Sequence, residues 1–273
     1  MAAEAGFGFG SNSLALIADA GHNLGDVASL GLAWLAATLS QRAPSRRFTY
    51  GLRSSSILAA LANAALLSAI TGAIALEAVL RLAHPPPAAG RTMMAVAAAG
   101  ILVNGISAVM FARGRAHDLN LRGAFLHMAS DALVSLGVVV TGAAILLTHW
   151  LWLDPAASLA IAAIIVVSTW SLLREALGLA LAGVPPGVDA ARVAAYLADL
   201  PGVTGVHDLH IWAMSTTETA LTAHLVRPGA SVDDALLAGA CAELRVRFAI
   251  HHATLQVEGG AAEHPCDLVD HAA

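Results

Sequence analysis

The sequence predicts an all-α polytopic membrane domain followed by a small α+β domain of α-β-β-α-β order. Composition is the first observation behind this prediction: the 273 residues are 58% hydrophobic and 12% charged, with a mean hydropathy of +0.71. Soluble domains carry about 25% charged residues, so the deficit indicates a chain that lies mostly in lipid. The second observation is a change at Pro185, where long apolar runs give way to mixed polar sequence.

Five apolar runs are long enough to cross a bilayer, for which about 20 residues suffice. They are rich in Ala, Gly and Ser, whose small side chains allow close helix packing in lipid. We therefore predict a transmembrane domain over 1–184. Its spans are expected at 14–39, 54–80, 92–112, 123–148 and 156–182.

Arginines orient these spans, because loops on the cytoplasmic side carry an excess of basic residues. The links after the first and third predicted spans contain Arg42, Arg46, Arg47, Arg53, Arg113, Arg115 and Arg122. Both links, and the polar C-terminal domain, are therefore predicted to face the cytoplasm. Five spans then place the N-terminus on the other side.

The C-terminal domain, 185–258, combines amphipathic helical patterns with period-two alternation. The predicted elements are, in order, Asp189–Asp199, Val203–Met214, Thr219–Val226, Ser231–Phe248 and Ala253–Glu258. Asp189 and Ser231 are expected to cap the two helices. The result is a small open-faced α+β domain, and residues 259–273 are predicted to form a flexible tail.

Charge and cysteine content exclude some classes of function. The net charge is −5 and no basic block is present, so no nucleic-acid partner is expected. Cys241 and Cys266 form neither a disulfide framework nor a CxxC metal clip, and we expect both to be reduced. No basic segment precedes an apolar run at the start, so no signal peptide is predicted.

Two separate predicted spans each contain a His that is followed four positions later by an Asp: His22 and Asp26 in one, His127 and Asp131 in the other. Residues i and i+4 share a helix face, so each helix offers one imidazole and one carboxylate. Two such helices would form a four-coordinate set suited to Zn²⁺. The alternative is a pair of polar spots satisfied between helices, but ionisable groups in spans are costly and usually functional. Asp19 is expected to support the site rather than bind the ion.

The chemistry of this set predicts exchange of metal for protons. Two carboxylates would neutralise a divalent charge in a medium of low dielectric constant. Histidine binds metal only when neutral, so protons and metal compete for the same nitrogens.

The C-terminal domain contains a further group of potential ligands: His207, His210, His224, His251, His252 and Glu258. On a regular strand His207 and His210 point to opposite faces, as do His251 and His252, so neither pair is expected to serve one site. Spacing alone leaves a metal site and a set of surface histidines as open alternatives.

Several stretches resemble the cation diffusion facilitator family of metal/proton antiporters. Ser13–Asp26 is similar to that family's second span and Gly123–Asp131 to its fifth. Asp154-Pro155, Gly205–Trp212 and Thr254–Glu258 match further landmarks, most closely those of the bacterial zinc-efflux branch with its cobalt-zinc-cadmium resistance proteins. The resemblance runs through residues 5–258.

The resemblance implies a non-enzymatic zinc exporter of the bacterial inner membrane, with six spans, a homodimer and a metallochaperone-like cytoplasmic domain. It places the ligands of the transported ion at His22, Asp26, His127 and Asp131. It places a cytoplasmic zinc site at His207, His224, His251 and Glu258. Zinc there would clamp the two cytoplasmic domains of the dimer, so Zn²⁺ is expected as both transported and regulatory ion, with no other cofactor.

The sequence departs from the family pattern at three places. Glu4–Ser11 matches only the outer end of the first family span, so five of six spans are expected, and a non-transporting metal-sensing or assembly subunit is the alternative. The link at 42–50 lacks His, Asp and Glu, so no metal is expected there. Ser56 replaces a common acidic residue.

An intramembrane metallohydrolase is the rival from another class. Such an enzyme needs an open coordination position and a nearby general base. The sequence has no His-Glu-x-x-His pattern, and four protein ligands would close the site.

Overall fold

The computed structural model describes residues 2–87, 89–112, 119–229 and 234–260. Its helices and strands are, in chain order, α1 (Ala2–Gly10), α2 (Leu14–Ser40), α3 (Ser55–Ala83), α4 (Gly90–Ala112), α5 (Leu119–Thr148), α6 (Leu153–Ala180), α7 (Ala190–Ala198), β1 (Gly205–Ala213), β2 (Thr219–Val226), α8 (Asp234–Phe248) and β3 (Ile250–Glu258). The predicted order of a helical domain followed by α-β-β-α-β is confirmed.

Four helices within the described ranges are long and apolar enough to cross a membrane. They are Ser55–Ala83, Gly90–Met110, Met128–Thr148 and Leu153–Ala180, which correspond to four of the five predicted spans. Helix α2 has 27 residues and a length of about 40 Å, enough for a bilayer core of about 30 Å. It falls outside the apolar group because it contains polar residues such as His22, Asn23 and Asp26.

The chain divides into two compact units, Met1–Gly31 with Asn63–Ser171 and Leu32–Ala62 with Leu172–Ala273. This division cuts α2, α3 and α6, so the predicted domain boundary after residue 184 stays a prediction. Leu16, Met93 and Val138 are fully buried in the core of the first unit.

Large apolar side chains on α4 face outward. Val103, Ile106 and Met110 are each more than 60% exposed. These residues lie three or four positions apart and form one stripe on the helix. An exposed apolar stripe of this kind is expected where a helix contacts lipid.

The C-terminal sheet has the order β1-β2-β3, with β1 antiparallel and β3 parallel to β2. Leu197 of α7 and Leu244 of α8 are buried against Leu221 and Leu225 of β2, so the helices cover one face of the sheet. Side chains alternate along β2, and His224 therefore lies on the opposite face, called the open face below because α7 and α8 do not cover it.

The predicted ends of these elements are close to those observed. Strand β2 has the predicted bounds, and Asp189 caps α7 by accepting a hydrogen bond from the Arg192 N–H over 3.1 Å. Strand β3 begins three residues before its predicted start. Ser231, the predicted cap of the second helix, and residues 261–273 of the predicted tail lie outside the described ranges.

Candidate metal centres

The first candidate centre is formed by helices α2 and α5. His22 and Asp26 occupy successive turns of α2, and Asp131 lies on α5. One ligand atom from each of these three residues lies within 4.8 Å of the other two. His22 and Asp26 of α2 therefore lie beside the carboxylate of Asp131, which is 105 positions away from Asp26 in sequence.

The distances within this centre fit a metal ion. His22 Nε2 lies 3.5 Å from Asp131 Oδ1 and 3.9 Å from Asp26 Oδ2. Ligand atoms about 2.1 Å from a tetrahedral Zn²⁺ are separated by about 3.4 Å. Asp131 is buried, whereas His22 and Asp26 are half-buried. The set combines one imidazole with two carboxylates, which matches the preferences of a divalent transition metal.

His127, the fourth predicted ligand, lies on α5 one turn before Asp131. Its side chain is outside the described part of the structure, so its place in the centre stays a prediction. The helical backbone between positions 127 and 131 gives the i, i+4 relationship that the prediction assumed.

Glycines bring α2 close to α3. A methyl group built on Gly25 would overlap Leu67 Cδ2, and one on Gly21 would lie 3.3 Å from Ile74 Cδ1. The two glycines are four residues apart and form the small-xxx-small pattern that lets helix backbones approach in membranes. They immediately precede His22 and Asp26, so the packing of α2 on α3 fixes the rotation of the ligand-bearing face.

A buried contact also joins α2 and α5 beside the ligands. The Ser135 hydroxyl donates to Asp19 Oδ2 over 3.1 Å, and both side chains are 1% exposed. Asp19 lies one turn before His22, and Ser135 lies one turn after Asp131. Asp19 is not in the group of His22, Asp26 and Asp131, and its supporting role stays a prediction.

A cavity of about 930 Å³ adjoins the centre. Its walls are mainly apolar, but a set of charged and polar side chains also lines it: Glu4, Asn23, Asp26, Arg91, Thr92, Asn104 and Asp131. The Asn23 side-chain amide donates to Glu4 Oε2 over 3.2 Å. Asp26 and Asp131 therefore lie on the wall of this cavity.

The second candidate centre lies on the open face of the C-terminal sheet. His207 Nε2 lies 3.0 Å from Glu258 Oε2, and His224 Nδ1 lies 3.0 Å from Glu258 Oε1. The two imidazole rings meet edge to face, with centroids 5.0 Å apart. These three residues form a second group whose ligand atoms lie within 4.8 Å of one another. Glu258 is buried, so its charge is held close to the two imidazoles.

His251 does not join this group. It lies seven positions before Glu258 on β3, and seven residues of extended strand span about 23 Å. The four residues His207, His224, His251 and Glu258 therefore do not form one site within a single chain. The resemblance compares sequence positions only, so it could not show that β3 holds His251 and Glu258 far apart.

The expectation that His207 and His210 point to opposite faces is wrong. His207 pairs with His224 and His210 pairs with Thr222, so two residues of β1 face only Ala223 of β2. This β-bulge adds one residue and reverses the alternation after it. Because His224 and Thr222 share a face, His207 and His210 also share it. The sequence reasoning missed this because it assumed a regular strand.

Two family models together cover almost the whole chain. The model for the cation efflux transmembrane domain matches residues 1–179. The model for the cytoplasmic domain of cation efflux proteins matches residues 185–259.

Several relatives match this chain over most of their own length. The metal cation efflux system protein CzcD of Cupriavidus metallidurans is 38% identical over 98% of this chain and 84% of its own. The cadmium, cobalt and zinc/H(+)-K(+) antiporter of Bacillus subtilis is 34% identical over 97% and 86%. The zinc transporter ZitB of Escherichia coli is 38% identical over 92% and 80%.

A solved structure, the metal-bound C-terminal domain of the CzcD transporter, is 36% identical and covers 26% of this chain and 99% of its own, with a TM-score of 0.24. The family models and the relatives agree on a multi-pass membrane protein that exports metal cations and has a cytoplasmic C-terminal domain. Transport rather than enzymatic catalysis is the function of these relatives. The chain belongs to the cation efflux family.

Proposed function

We propose that this protein exports Zn²⁺ from the cytoplasm in exchange for protons, through a site formed by His22, Asp26, His127 and Asp131. The observation that carries the proposal is the convergence of His22, Asp26 and Asp131 from two helices within 4.8 Å. The residue types support zinc, because imidazole and carboxylate together suit a tetrahedral divalent ion.

Charge supports coupling to protons. Asp26 and Asp131 bring two negative charges into an apolar environment, where uncompensated charge is costly. Zn²⁺ neutralises both charges, and protons on the imidazoles compensate them when the metal has left. His22 Nε2 lies near both carboxylates and can carry such a proton. Metal and protons thus occupy the same nitrogen in turn, which links the export of one to the entry of the other.

Zinc flux in proteoliposomes tests this function. Purified protein is reconstituted, Zn²⁺ is added to one side, and a pH gradient is imposed in either direction. In the parent protein, Zn²⁺ uptake should be fast when the vesicle lumen is more acidic than the outside and slow when the gradient is reversed, because zinc and protons move in opposite directions. Asp131→Asn should abolish the uptake, because it removes one of the two charges that hold the ion.

Glu77→Gln is the matched control. Glu77 is also an acid on a long helix, but its side chain is 47% exposed and pairs with Arg81 one turn later. This variant should transport as the parent does. Unchanged flux in Asp131→Asn would contradict the proposed site. Flux in the parent protein that does not respond to the pH gradient would contradict the proposed coupling to protons.

We further propose that the protein works as a homodimer and that the cytoplasmic centre senses zinc. The support is the group of His207, His224 and Glu258 on the sheet face opposite α7 and α8. Three protein ligands leave one tetrahedral position open. Protein that carries Asp131→Asn should still bind zinc, because this cytoplasmic group remains intact. Adding Glu258→Gln should abolish the remaining zinc binding.

A further inference from the structure

The β-bulge of β1 places a charged side chain beside the cytoplasmic centre. Asp208 is the residue that the bulge adds, and its backbone has φ +52°. Asp is one of the few residue types besides Gly that adopts this left-handed conformation with some frequency. The carboxylate turns toward the open face and lies between two histidines. Its Oδ1 is 2.9 Å from His210 Nε2, and its Oδ2 is 3.5 Å from His224 Nε2.

The two nitrogens of His224 consequently face different carboxylates. Nδ1 faces Glu258 Oε1 at 3.0 Å, and Nε2 faces Asp208 Oδ2. A metal held by His207 and Glu258 must bind His224 through Nδ1, since this is the nitrogen on their side. Neutral imidazole has one N–H, so the proton then resides on Nε2 and points at Asp208.

We propose that Asp208 is a positioning residue for the cytoplasmic metal centre: it holds His224 in the Nε2–H form and aims Nδ1 at the ion. Histidines that bind metals commonly donate their second N–H to a carboxylate, which fixes the ring and strengthens the ligand. His210 restrains Asp208 in turn from the other side. This inference rests on the proposed zinc site of His207, His224 and Glu258.

Burial supports this arrangement. The side chain of His210 is 41% exposed, those of Asp208 and His224 are 20% and 18% exposed, and that of Glu258 is 5% exposed. The alternating imidazole and carboxylate groups therefore run from solvent toward the buried carboxylate of Glu258. A metal at its inner end gains a ligand whose orientation is fixed by groups that do not themselves contact the ion.

Two substitutions at Asp208 distinguish the effect of its carboxylate from the effect of the backbone conformation of the bulge. Asp208→Gly removes the side chain but keeps the positive φ without strain. Asp208→Asn also tolerates this conformation, and its amide oxygen can still accept from His224. All variants are made in full-length protein that carries Asp131→Asn, so that the membrane centre contributes little. The Zn²⁺ affinity is measured by competition with a chromophoric chelator, and Co²⁺ absorption reports the ligand geometry.

Asp208→Gly should weaken zinc binding by about 10-fold to 100-fold, the effect of losing such a partner, and should change the Co²⁺ spectrum. Asp208→Asn should restore most of the affinity. The Tm of the metal-free protein should be the same in all variants, which distinguishes positioning from a role in folding.

Three outcomes would overturn the inference. Affinity in Asp208→Gly within twofold of the parent would show that Asp208 does not act on the centre. An equal loss in Asp208→Asn and Asp208→Gly together with a lower Tm would show a structural role. Two ions on this face, one of them lost with Asp208, would make Asp208 a ligand instead. Glu258→Gln is the separate test of the centre: if it leaves binding unchanged, the proposed zinc site fails whatever Asp208 does.

Discussion

The Ser13 hydroxyl donates to Asp154 Oδ1 over 2.7 Å, although the two residues are 141 positions apart. The same carboxylate accepts the backbone N–H groups of Leu14 and Ala15, at 2.8 and 3.2 Å. Asp154, in the first turn of α6, therefore caps the N-terminus of α2, where N–H groups have no partner within the helix. This contact fixes the start of the helix that carries His22 and Asp26.

Replacing Asp154 with Ala should destabilise the membrane domain. Three buried donors lose their acceptor, and each unsatisfied buried group costs about 1–3 kcal/mol. Thermal unfolding in detergent, followed by circular dichroism, should show a clear fall in Tm. Asp154→Asn keeps one acceptor oxygen and should lose less. Asp189→Ala, which removes a single-donor cap in the other domain, should cost about 1 kcal/mol. Equal Tm values for Asp154→Ala and Asp189→Ala would argue against a special role for Asp154.

Helices α4 and α5 touch through a reciprocal pair of glycines. A methyl group on Gly142 would lie 2.9 Å from the Gly90 carbonyl oxygen, and one on Gly90 would lie 2.8 Å from the Gly142 carbonyl oxygen. Gly142→Val should therefore push the helices apart and cost about 1–3 kcal/mol. Because Asp131 lies on the same helix, zinc flux should fall as well. Gly137→Val is the control, since a methyl group there meets nothing within 4 Å. If both variants behave alike in flux and Tm, close packing at Gly142 is not required.

Much of the first centre could be predicted, because an i, i+4 step fixes which side chains share a helix face. Helix geometry alone, without any tertiary information, places His22 and Asp26 on the same face of α2. Their partner Asp131 could be proposed only because α5 repeats the same step. The cap by Asp154 could not be derived from spacing, since nothing local relates it to Ser13. Such long-range contacts depend on how helices pack, and the apolar pattern of a span does not specify its neighbours.

The cytoplasmic centre could be predicted less well, because its side chains lie on strands whose regularity could not be assumed. His207, His224 and Glu258 lie together as the resemblance implied, and their role as ligands stays a prediction, but His251 lies elsewhere on β3 and Asp208 was missed. Both errors came from treating strands as regular and sites as sets of sequence positions. A bulge of one residue reverses which face a side chain occupies. The Asp between His207 and His210 was a usable signal, because Asp adopts the left-handed conformation that such a bulge requires.

Ser135 should contribute to the membrane centre through Asp19. Ser135→Ala removes the hydroxyl that donates to this buried carboxylate, and a hydrogen bond to a charged group is worth about 1.5–3 kcal/mol. We expect weaker zinc binding and lower flux, because the contact joins α2 to α5 one turn from the ligands. Ser135→Thr retains the hydroxyl and should recover much of the function. Ser107→Ala is the matched control, since the exposed Ser107 hydroxyl donates only within its own helix, to the Val103 carbonyl. Parent-like affinity in Ser135→Ala would show that Asp19 does not need this contact.

The start of α3 contacts the turn between β1 and β2 through charge and hydrogen bonds. Arg53 pairs with Glu218, the Ser54 hydroxyl donates to the Met214 carbonyl over 3.2 Å, and the Thr216 N–H donates to Ser56 Oγ over 3.0 Å. Ser56 thus serves as a neutral hydrogen-bond acceptor for the turn.

A double-mutant cycle can measure the Arg53–Glu218 pair. Both side chains are about one-third exposed, so the coupling free energy should be only about 0.2–1 kcal/mol. Arg53→Gln, Glu218→Gln and the double variant are compared by unfolding in detergent at low and high salt. The coupling should shrink at 1 M salt, where the Debye length is about 3 Å. Ser54→Ala should lower stability equally at both salt concentrations, because it removes a neutral hydrogen bond. A coupling that does not respond to salt would show that the turn is held by its hydrogen bonds and packing rather than by charge.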